Sequence, residues 1–397
     1  MSTTSLSTGS VAQVQVAVPA VPLLDVACEN APRMGEIQEA LARVCRSGQF
    51  ILGPDCQQLE TSIAELCGTR HAIGCASGSD ALLLALMALE IGPGDEVIVP
   101  SFTFFATASA AWRLGARPVF ADIDPESFNL DPAAVRACVG VATRAIIPVH
   151  LFGQCAQMDQ LAEVARRHDL RVVEDCAQAI GARFAGRPAG SLGAVGCFSF
   201  YPTKNLGGFG DGGILTTSDD AMAERLRLLR GHGMQPRYHH AAVGINSRLD
   251  SLQAAVLNVK LPHLAQQTAA RRENAARYQQ LFTQCGLERV LGLPSSDPRG
   301  EHVWNQYTIR VPGGHRDRLR QHLAQASIGS EVYYPIPLHL QPCFRNLGYG
   351  VGSLPHTERA ATEVLSLPIF PGLTGAQQAR VVRSIAQFFG VPARGLA

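Results

Sequence analysis

Lysine is nearly absent from this 397-residue sequence. Only Lys204 and Lys260 are lysines, and the other 32 of the 34 basic residues are arginines. Arginine stays protonated in proteins, whereas a desolvated lysine amine can attack a carbonyl carbon. A lysine that is kept in such a chain is therefore a candidate for covalent chemistry. Lys260 falls within a long helical pattern with no motif beside it, so we predict that its side chain is solvated.

Three further features are missing from the sequence, and their absence argues against certain binding partners and against a membrane or secreted location. The net charge is only +1 and no basic block occurs, which argues against a nucleic-acid or anionic-membrane surface. No apolar run reaches the roughly 20 residues that a membrane helix needs. The first basic residue is Arg33, so the positive n-region of a secretory signal is missing, and we predict a flexible N-terminal extension over residues 1–20.

The eleven cysteines form no CxxC pair and no Cys/His cluster with zinc spacing, so no metal site is predicted. In a chain of this length, the pattern favours buried free thiols and a cytoplasmic location, where thiols stay reduced. Secretion with disulfides is the alternative.

Hydrophobic periodicity predicts an alternation of helices and short strands. Residues 33–47 and 56–67 each carry one apolar face and are followed by glycine, which is typical of amphipathic helices. Residues 80–90 (DALLLALMALE) are apolar nearly all round and predict a buried helix. Helices are also predicted at 106–114, 132–138 and 159–168, and apolar strands at 96–99, 118–121, 145–149, 171–174, 195–200 and 213–217. Such strands, separated by helices, predict an α/β fold with a mostly parallel central sheet and helices on both faces.

The pattern changes after residue 250. A long helical stretch over 250–285, bent near Pro262, is predicted to lead out of the large domain. The elements that follow indicate a smaller α+β domain: a strand at 306–311, a helix at 315–326, a strand at 331–334 and a closing helix at 375–388. We predict a large domain over residues 21–260 and a small C-terminal domain over residues 261–397.

Ligands of an open parallel sheet bind at the carboxyl ends of its strands. The first such place is the segment ASGSD at 76–80, before the buried helix. Gly78 would let a ligand approach the backbone, and the helix N-terminus with the Ser79 hydroxyl could bind a phosphate. An ordinary helix cap uses the same residue types and is the alternative.

The second place is the end of the strand at 171–174. Asp175 follows this apolar strand, and an unpaired carboxylate is costly to bury there. A protonated pyridine nitrogen is one suitable cationic partner, and Gln178, one helical turn further on, could reach the same ligand. The alternative is that Asp175 caps the next helix.

The third place follows the strand at 195–200, where Lys204 stands in the segment FSFYPTKN. A single lysine is usually a surface residue, but the scarcity of lysine favours a functional one here. Gly208, Gly210 and Gly213 match the dinucleotide fingerprint GxGxxG. That motif has to follow a strand and open a helix, whereas this one precedes the predicted strand at 213–217. We therefore interpret the glycines as a flexible turn near the reactive lysine.

Six segments carry a resemblance to a known family. They are SGSDAL at 77–82, PSFTFFAT at 100–107, EDCAQAIGA at 174–182, FSFYPTKNLG at 198–207, GINSRLDSLQAA at 244–255 and YYPIPLHLQP at 333–342. In this combination and order, the sequence resembles the DegT/DnrJ/StrS sugar aminotransferases, which are fold-type I pyridoxal-phosphate enzymes. The resemblance extends from Gln49 to the C-terminal helix.

The resemblance implies a role for each matching residue. Lys204 would form a Schiff base with pyridoxal 5'-phosphate, and Asp175 would pair with the pyridinium nitrogen. Phe104 would stack on the ring, and Gln178 would contact the ring hydroxyl. The family forms homodimers with shared active sites, so the phosphate would be held by two groups of residues: Gly78, Ser79 and Ser199 of one subunit, and Asn246 of the other.

The implied reaction moves an amino group from glutamate to a nucleotide-linked keto-sugar, with pyridoxamine 5'-phosphate as the intermediate. The segment before Gly244 looks closest to family members that act on 3-keto-sugars, and a 4-keto-sugar is the alternative. The product would enter a surface polysaccharide or a glycosylated metabolite. Candidate sugar contacts are Arg237, Tyr238, His239, Tyr333 and His339, although residues 237–240 could equally form a plain surface loop.

Two positions depart from the family pattern. The family often has Thr where Ser79 stands, which keeps the hydroxyl, and often has His where Tyr333 stands, which leaves the sugar contacts there open. Two rival functions remain: a lyase or dehydratase on the same fold, and a non-catalytic regulatory member. Dehydrating members lack the lysine that is present here as Lys204, and an inactive member is expected to have a degraded site.

Overall fold

A seven-stranded sheet forms the centre of this computed structural model, which describes residues 19–393. The predicted extension over residues 1–20 lies outside the described residues, apart from the exposed Pro19 and Ala20. The strands are β1 (His71–Cys75), β2 (Glu96–Pro100), β3 (Arg117–Ala121), β4 (Thr143–Ile146), β5 (Arg171–Asp175), β6 (Arg183–Phe184), β7 (Arg187–Pro188), β8 (Val195–Ser199), β9 (Gly213–Thr217), β10 (Gly300–Glu301), β11 (Tyr307–Arg310) and β12 (Val364–Leu367).

The central sheet has the strand order β1-β9-β8-β5-β4-β2-β3. β9 runs antiparallel to its two neighbours, β1 and β8. The other four neighbouring pairs are parallel. The predicted α/β class with a mostly parallel sheet is therefore confirmed.

Helices cover both faces of this sheet, and further helices pack around a second, smaller sheet. In chain order, the helices of the described residues are α1 (Val26–Asn30), α2 (Met34–Ser47), α3 (Pro54–Cys67), α4 (Gly78–Ala88), α5 (Ala106–Arg113), α6 (Pro132–Cys138), α7 (Met158–Arg167), α8 (Asp220–Arg230), α9 (Ser251–Lys260), α10 (Leu264–Gln284), α11 (Arg316–Gln325), α12 (Pro355–Glu363) and α13 (Gly375–Phe389). Within β2, Ile98 packs into one apolar core while Val97 and Val99 pack into another, because alternate residues of a strand face opposite sides.

Helix α4 is buried on nearly all sides, as its apolar sequence predicts. It contacts β8 and β9 of the sheet and the helices α5 and α8. Residues Ala81 to Leu86 are all buried. The N-terminus of α4 is therefore held rigidly at the edge of the sheet where the ligand was predicted to bind.

A second sheet and its helices follow the central one in the chain. β11 and β12 pair antiparallel, and Tyr278, Phe282, Tyr307 and Ile385 share one apolar core around them. A 3-10 turn containing Pro262 separates α9 from α10, at the predicted bend. Val21 packs into this second core as well. The domain division at residues 260 and 261 stays a prediction.

The predicted strand at 331–334 was wrong. Glu331 alone forms a bridge, to Ser366, and the chain then leaves the sheet toward Pro335, which has no amide hydrogen to donate. Eight elements escaped the sequence reasoning: β1, α8, α12 and β12, and the short elements α1, β6, β7 and β10. β1 begins with a histidine and contains a glycine (HAIGC), so it offers no uninterrupted apolar run.

Two global expectations concern the cysteines and membrane helices. All eleven cysteines lie within the described residues, and each is a free thiol. Across residues 19–393, no helix combines the length and the apolar character that crossing a membrane requires.

Candidate active site

The three places predicted from the sequence meet at one edge of the central sheet. Gly78 opens α4, Asp175 ends β5, and Ser199 ends β8, which is the neighbour of β5. A Cβ atom built on Gly78 would lie 2.7 Å from the Cβ of Ser199. The helix N-terminus and the end of β8 therefore touch, and Lys204 lies in the loop that follows β8.

Asp175 is a buried carboxylate with two hydrogen-bond donors. Its Oδ2 accepts a bond of 2.8 Å from the Thr107 hydroxyl, and its Oδ1 accepts one of 3.2 Å from the backbone amide of Ala177. Burial raises the pKa of Asp175, while the two donors and the charge of Lys204 act in the opposite direction. The site is therefore suited to a cationic ligand group that stabilises the ionised carboxylate.

Lys204 is partly buried, and its amine is poorly solvated. Desolvation lowers the pKa of Lys204 to about 8, although the nearby charge of Asp175 acts to raise it. The backbone amide of Lys204 donates a hydrogen bond of 2.9 Å to the Tyr201 carbonyl, which curls the loop around the lysine. An amine with this pKa is unprotonated far more often than an ordinary lysine, as a nucleophile must be.

Gln178 is held at both ends of its side-chain amide. Its Oε1 accepts a bond of 2.6 Å from the Phe152 backbone amide, and its Nε2 donates to the Tyr334 hydroxyl at 3.2 Å. Burial raises the pKa of Tyr334, and the charge of Asp175 raises it further, so this hydroxyl faces the same site. Sequence reasoning missed Tyr334 and selected its neighbour Tyr333; the YYPIP segment was the available signal.

Phe104 is an unusually exposed aromatic residue. Phe104 is 60% exposed, and its ring centroid lies 6.3 Å from that of Tyr334. A large apolar surface thus lies open beside Gln178 and Asp175. The predicted stacking of Phe104 on a cofactor ring stays a prediction.

The start of α4 has the features of a phosphate cradle. Ser77 caps the helix and accepts a bond of 3.1 Å from the Asp80 amide, which leaves the amides of Gly78 and Ser79 without this cap. A Cβ on Gly213 would lie 2.4 Å from the Ser77 carbonyl oxygen, so only glycine fits behind the turn. Free amides at a helix N-terminus attract anions.

Asn246 is exposed, and the residue after it is anchored to this cradle. Ser247 donates a hydrogen bond of 2.8 Å to Asp80 and accepts one of 3.1 Å from the Ala76 amide. The predicted role of Asn246 at the phosphate of a second subunit stays a prediction.

The predicted sugar contacts fall into two groups. Arg237, Tyr238 and His239 lie in an exposed loop, in which the Arg237 guanidinium stacks 4.9 Å from the Tyr238 ring centroid. Tyr333 is partly buried, and its ring lies 5.9 Å from that of Tyr334, so it borders the site.

His339 differs from the other candidates because its ring is already engaged. The ring is buried; Nδ1 lies 2.7 Å from the Ser101 hydroxyl and Nε2 lies 3.2 Å from a Glu358 carboxylate oxygen. No ring nitrogen is left for a substrate. The geometry therefore favours a structural role for His339 over the expected sugar contact.

The carboxylate next to Asp175 belongs to the fold. Glu174 is fully buried and accepts hydrogen bonds from the amides of Gly190, Leu192 and Gly193, at 2.9, 2.7 and 2.7 Å. It also bonds at 3.0 Å to Nε2 of His150, whose Nδ1 accepts from the Ala156 amide. These bonds occupy the groups that would otherwise offer a site for a metal ion.

Lys260 contradicts the prediction that it is solvated. It is 6% exposed, and its ammonium group donates to the Gly207 carbonyl at 2.5 Å. The face of α9 that carries Lys260 is turned toward the glycine-containing loop after Lys204. No local sequence signal shows this contact, because the two residues lie 53 positions apart.

A family model matches residues 33–386, and its description is the DegT/DnrJ/EryC1/StrS aminotransferase family. The chain belongs to this family. The resemblance drawn from the six segments is confirmed, and the chain is an aminotransferase that uses pyridoxal 5'-phosphate, with pyridoxamine 5'-phosphate as its second form.

Two curated proteins are similar to this chain over nearly its whole length. A protein of Geobacillus stearothermophilus called pleiotropic regulatory protein is 51% identical over 93% of this chain and 98% of its own length. The UDP-N-acetyl-3-dehydro-α-D-glucosamine 3-aminotransferase of Acidithiobacillus ferrooxidans is 45% identical over 92% of this chain and 97% of its own length.

Solved structures of similar proteins show the same fold. The structure of DesV from S. venezuelae in complex with a ketimine intermediate superposes with a TM-score of 0.90, at 45% identity, over 94% of this chain and 99% of that one. NtdA from Bacillus subtilis, with bound cofactor PMP, superposes with a TM-score of 0.87, at 30% identity, over 95% of this chain and 87% of that one. The prediction of a fold-type I aminotransferase is thus confirmed.

The residues at the sheet edge fit this cofactor. The site offers an amine of lowered pKa, a buried carboxylate and a helix N-terminus beside Ser199 where an added Cβ would fill the cradle. When bound, pyridoxal phosphate supplies an aldehyde carbon and a ring that accepts an electron pair.

Proposed function

We propose that this chain moves an amino group from glutamate to a nucleotide-linked 3-keto-sugar and releases an amino-sugar. The observation that carries the transfer chemistry is the Lys204 amine, with its pKa lowered to about 8, beside the buried carboxylate of Asp175. The 3-keto assignment is supported by the name of the Acidithiobacillus relative, which specifies a 3-dehydro sugar and a 3-aminotransferase.

Lys204 has two tasks in this proposal. Its Nζ first anchors the cofactor covalently, which requires the unprotonated amine that desolvation favours. After glutamate displaces it, the same Nζ would accept the proton of the donor α-carbon, and in the second half of the transfer it would donate a proton to the sugar carbon. A pKa of about 8 lies close to neutral pH, where an amine can both accept and release a proton.

Asp175 keeps the cofactor ring protonated in this proposal. Its Oδ1 and Oδ2 are oriented by the Ala177 amide and the Thr107 hydroxyl, so the carboxylate cannot rotate freely. A protonated ring nitrogen beside it replaces the solvation that burial removes from the carboxylate. Gln178 and Tyr334 line the same edge of the site through their mutual hydrogen bond.

A homodimer with shared active sites is part of the proposal. Phe50, Ile51 and Leu52 form a run of exposed apolar residues, and Phe209, in the loop after Lys204, is exposed as well. Clustered apolar surface of this kind is typical of interfaces between subunits. A second copy would cover it and bring Asn246 to the phosphate.

The nucleotide-sugar is proposed to contact Arg237, Tyr238, His239 and Tyr333. An arginine and a histidine in an exposed loop are suited to a diphosphate or a sugar carboxylate. The free thiols favour a reducing compartment such as the cytoplasm for the reaction.

The first experiment tests the covalent anchor. Purified protein loaded with pyridoxal phosphate should show a visible absorption band that glutamate bleaches, and Lys204→Ala should lack the band. The Asp175→Asn variant should bind the cofactor, but glutamate should bleach its absorption band slowly. A wild-type protein that shows no band with added cofactor would overturn the proposal.

The second experiment identifies the acceptor. UDP- and dTDP-linked 3-keto- and 4-keto-sugars are compared as substrates with glutamate, and the 3-keto-sugars should give the higher kcat/KM. A preference for 4-keto-sugars would establish the alternative acceptor, and loss of a sugar substituent without amino-sugar formation would indicate a lyase.

A regulatory function is the second candidate, because the 51% identical relative carries a regulatory name. The retained Lys204 and Asp175 argue for catalysis, since a purely regulatory protein needs neither. A protein that binds the cofactor but aminates no keto-sugar of the panel would favour the regulatory function.

A further inference from the structure

The second lysine of the chain is attached to the loop that carries the first. Lys260 ends α9 and is 6% exposed, and its Nζ donates to the Gly207 carbonyl at 2.5 Å. Gly207 comes three residues after Lys204. The two lysines are therefore connected through one short stretch of backbone.

That stretch is folded tightly. The Lys204 amide bonds to the Tyr201 carbonyl, and the Gly208 amide bonds to the Phe200 carbonyl at 2.8 Å. A Cβ on Gly207 would lie 2.4 Å from the Pro202 carbonyl oxygen. The loop thus closes on itself at Gly207, and a displacement of Gly207 would be transmitted to Lys204.

Helix α9 also holds the loop at a second point. Gln253 Oε1 accepts a hydrogen bond of 2.7 Å from the Phe209 amide, and a Cβ on Gly208 would lie 2.8 Å from the same oxygen. Residues 253 and 260 are seven positions apart, which puts them on one face of the helix. The two side chains therefore bind the backbone on both sides of Gly208.

The chemistry of the contact favours lysine. An ammonium group is a compact charge on a flexible stem, whereas a guanidinium is a wide planar fork. Burial lowers the pKa of Lys260 to about 8, although the charge of Glu29 acts to raise it. The chain uses arginine at 32 of its 34 basic positions, yet the residue that makes this buried contact with one carbonyl is a lysine.

We infer that Lys260 is a positioning residue for Lys204: its ammonium group holds the Gly207 carbonyl and thereby fixes the loop from which the reactive amine projects. The inference rests on the proposed role of Lys204. A lysine amine that is misplaced by about 1 Å can lose on the order of 100-fold in rate.

The test compares three variants of the full-length holoenzyme. Lys260→Met removes the donor and keeps the length of the side chain. Lys260→Gln retains a polar group that is one bond short of the carbonyl, in case the methionine variant does not fold. Asn258→Ala is the matched control, because Asn258 lies on the same helix and donates to the Asp55 carbonyl at 2.9 Å, away from the loop.

Three measurements report on the loop. Both Lys260 variants should lower kcat about tenfold or more, with the KM for glutamate changed less than about threefold. They should weaken the visible circular dichroism of the lysine-bound cofactor. In cofactor-free protein, backbone amides of residues 203–209 should exchange with deuterium faster. Asn258→Ala should lower Tm and leave all three measurements unchanged.

The result that overturns the inference is a folded Lys260→Met or Lys260→Gln protein with wild-type kcat, dichroism and exchange. Equal effects in Asn258→Ala would overturn it too, because the loss would then be a general effect of a weakened α9. Failure of the proposed function is distinguishable: the wild type would show no cofactor band, while the exchange measurement would still test the attachment of the loop.

Discussion

Gly78 and Ser199 are in contact, and the space between them is too small for one more carbon atom. A Cβ on Gly78 would stand 2.7 Å from the Ser199 Cβ and 3.2 Å from its hydroxyl oxygen. Gly78 opens α4, and Ser199 ends β8. The contact therefore joins the anion-attracting end of a helix to the strand that leads to Lys204.

Gly78→Ala should weaken cofactor binding. The added carbon forces Ser199 or the helix start to move, and overpacking of this kind costs about 1–3 kcal/mol. A cost of about 1.4 kcal/mol on the bound state raises the Kd tenfold. Equilibrium dialysis of cofactor-free protein against pyridoxal phosphate would measure this. Gly35→Ala in α2 is the control, since an added Cβ there meets no atom within 4 Å.

Thr107→Val removes the hydroxyl and keeps the shape of the side chain, and it should lower kcat by about tenfold. The Thr107 hydroxyl donates to Asp175 and lowers the pKa of that carboxyl. Without this bond the pKa rises further, and Asp175 is more often protonated at neutral pH, so it stabilises the ring cation less. Thr107→Ser should restore the rate, and an unchanged rate in Thr107→Val would contradict the assigned orientation of Asp175.

The rate at which cofactor-free protein takes up pyridoxal phosphate should rise with pH and level off above about pH 8. The reason is that the pKa of Lys204 is lowered to about 8 from its ordinary value of 10.5, and the unprotonated amine is the nucleophile. Between these two values the unfolded chain binds more protons at Lys204, so stability should increase with pH relative to Lys204→Ala.

Lysine-selective ¹³C labelling offers a direct check of this titration. The chain has two lysines, so two Cε signals are expected, and variants at 204 and 260 identify them. Both signals should titrate near pH 8, since burial lowers the pKa of both amines to about 8. A Lys204 signal that titrates near pH 10 would contradict the desolvated site.

Arg237→Ala should raise the KM for the nucleotide-sugar by about tenfold and leave the KM for glutamate unchanged. His339→Ala is the contrasting variant. Its ring bonds to Ser101 and Glu358, so its loss should lower the free energy of unfolding by about 1–3 kcal/mol without a selective effect on the sugar. Steady-state kinetics and denaturant unfolding separate the two. A sugar-selective effect of His339→Ala would reverse the assignment.

Mixing two inactive variants tests the shared active site. In a mixed dimer of Lys204→Ala and Asn246→Ala chains, one site would contain neither substitution and the other would contain both. Activity should therefore return after the two chains are unfolded and refolded together, toward about a quarter of wild type if chains pair at random. No recovery despite mixed dimers would mean that each chain builds its own site.

The proposed reactive groups were selected from the sequence because each leaves a local signal. Lys204 stands out by the scarcity of lysine, Asp175 by its position at the end of an apolar strand, and Gly78 by its place before a buried helix. Thr107 and Tyr334 could not be predicted in the same way. Their roles arise from contacts with Asp175 and Gln178, which are distant in sequence and become neighbours only through the order of the strands.

The secondary-structure elements follow the same rule: those with a strong local pattern were predicted, and those that depend on long-range pairing were missed. The strand at 96–100 and the helix α4 are rich in apolar residues, and their positions were predicted to within a few residues. β1 was missed because its pairing with β9 decides its structure, and five residues with a histidine and a glycine give little local preference. Lys260 was misjudged for the same reason: its partner is a backbone carbonyl, which no side-chain pattern reveals.

Glu174 and Asp175 are neighbours on β5 but lie in different environments. This difference decides which of them can be substituted when the enzyme is redesigned. Glu174 is saturated by three backbone amides and His150, while Asp175 emerges on the other side of the strand with the cofactor ring as its proposed partner. Because a strand turns successive side chains in opposite directions, neither acid can stand in for the other. An engineer who wishes to change the electronics of the ring would therefore vary Asp175 or its hydrogen-bond donor Thr107, and would leave Glu174, which anchors the same strand, unchanged.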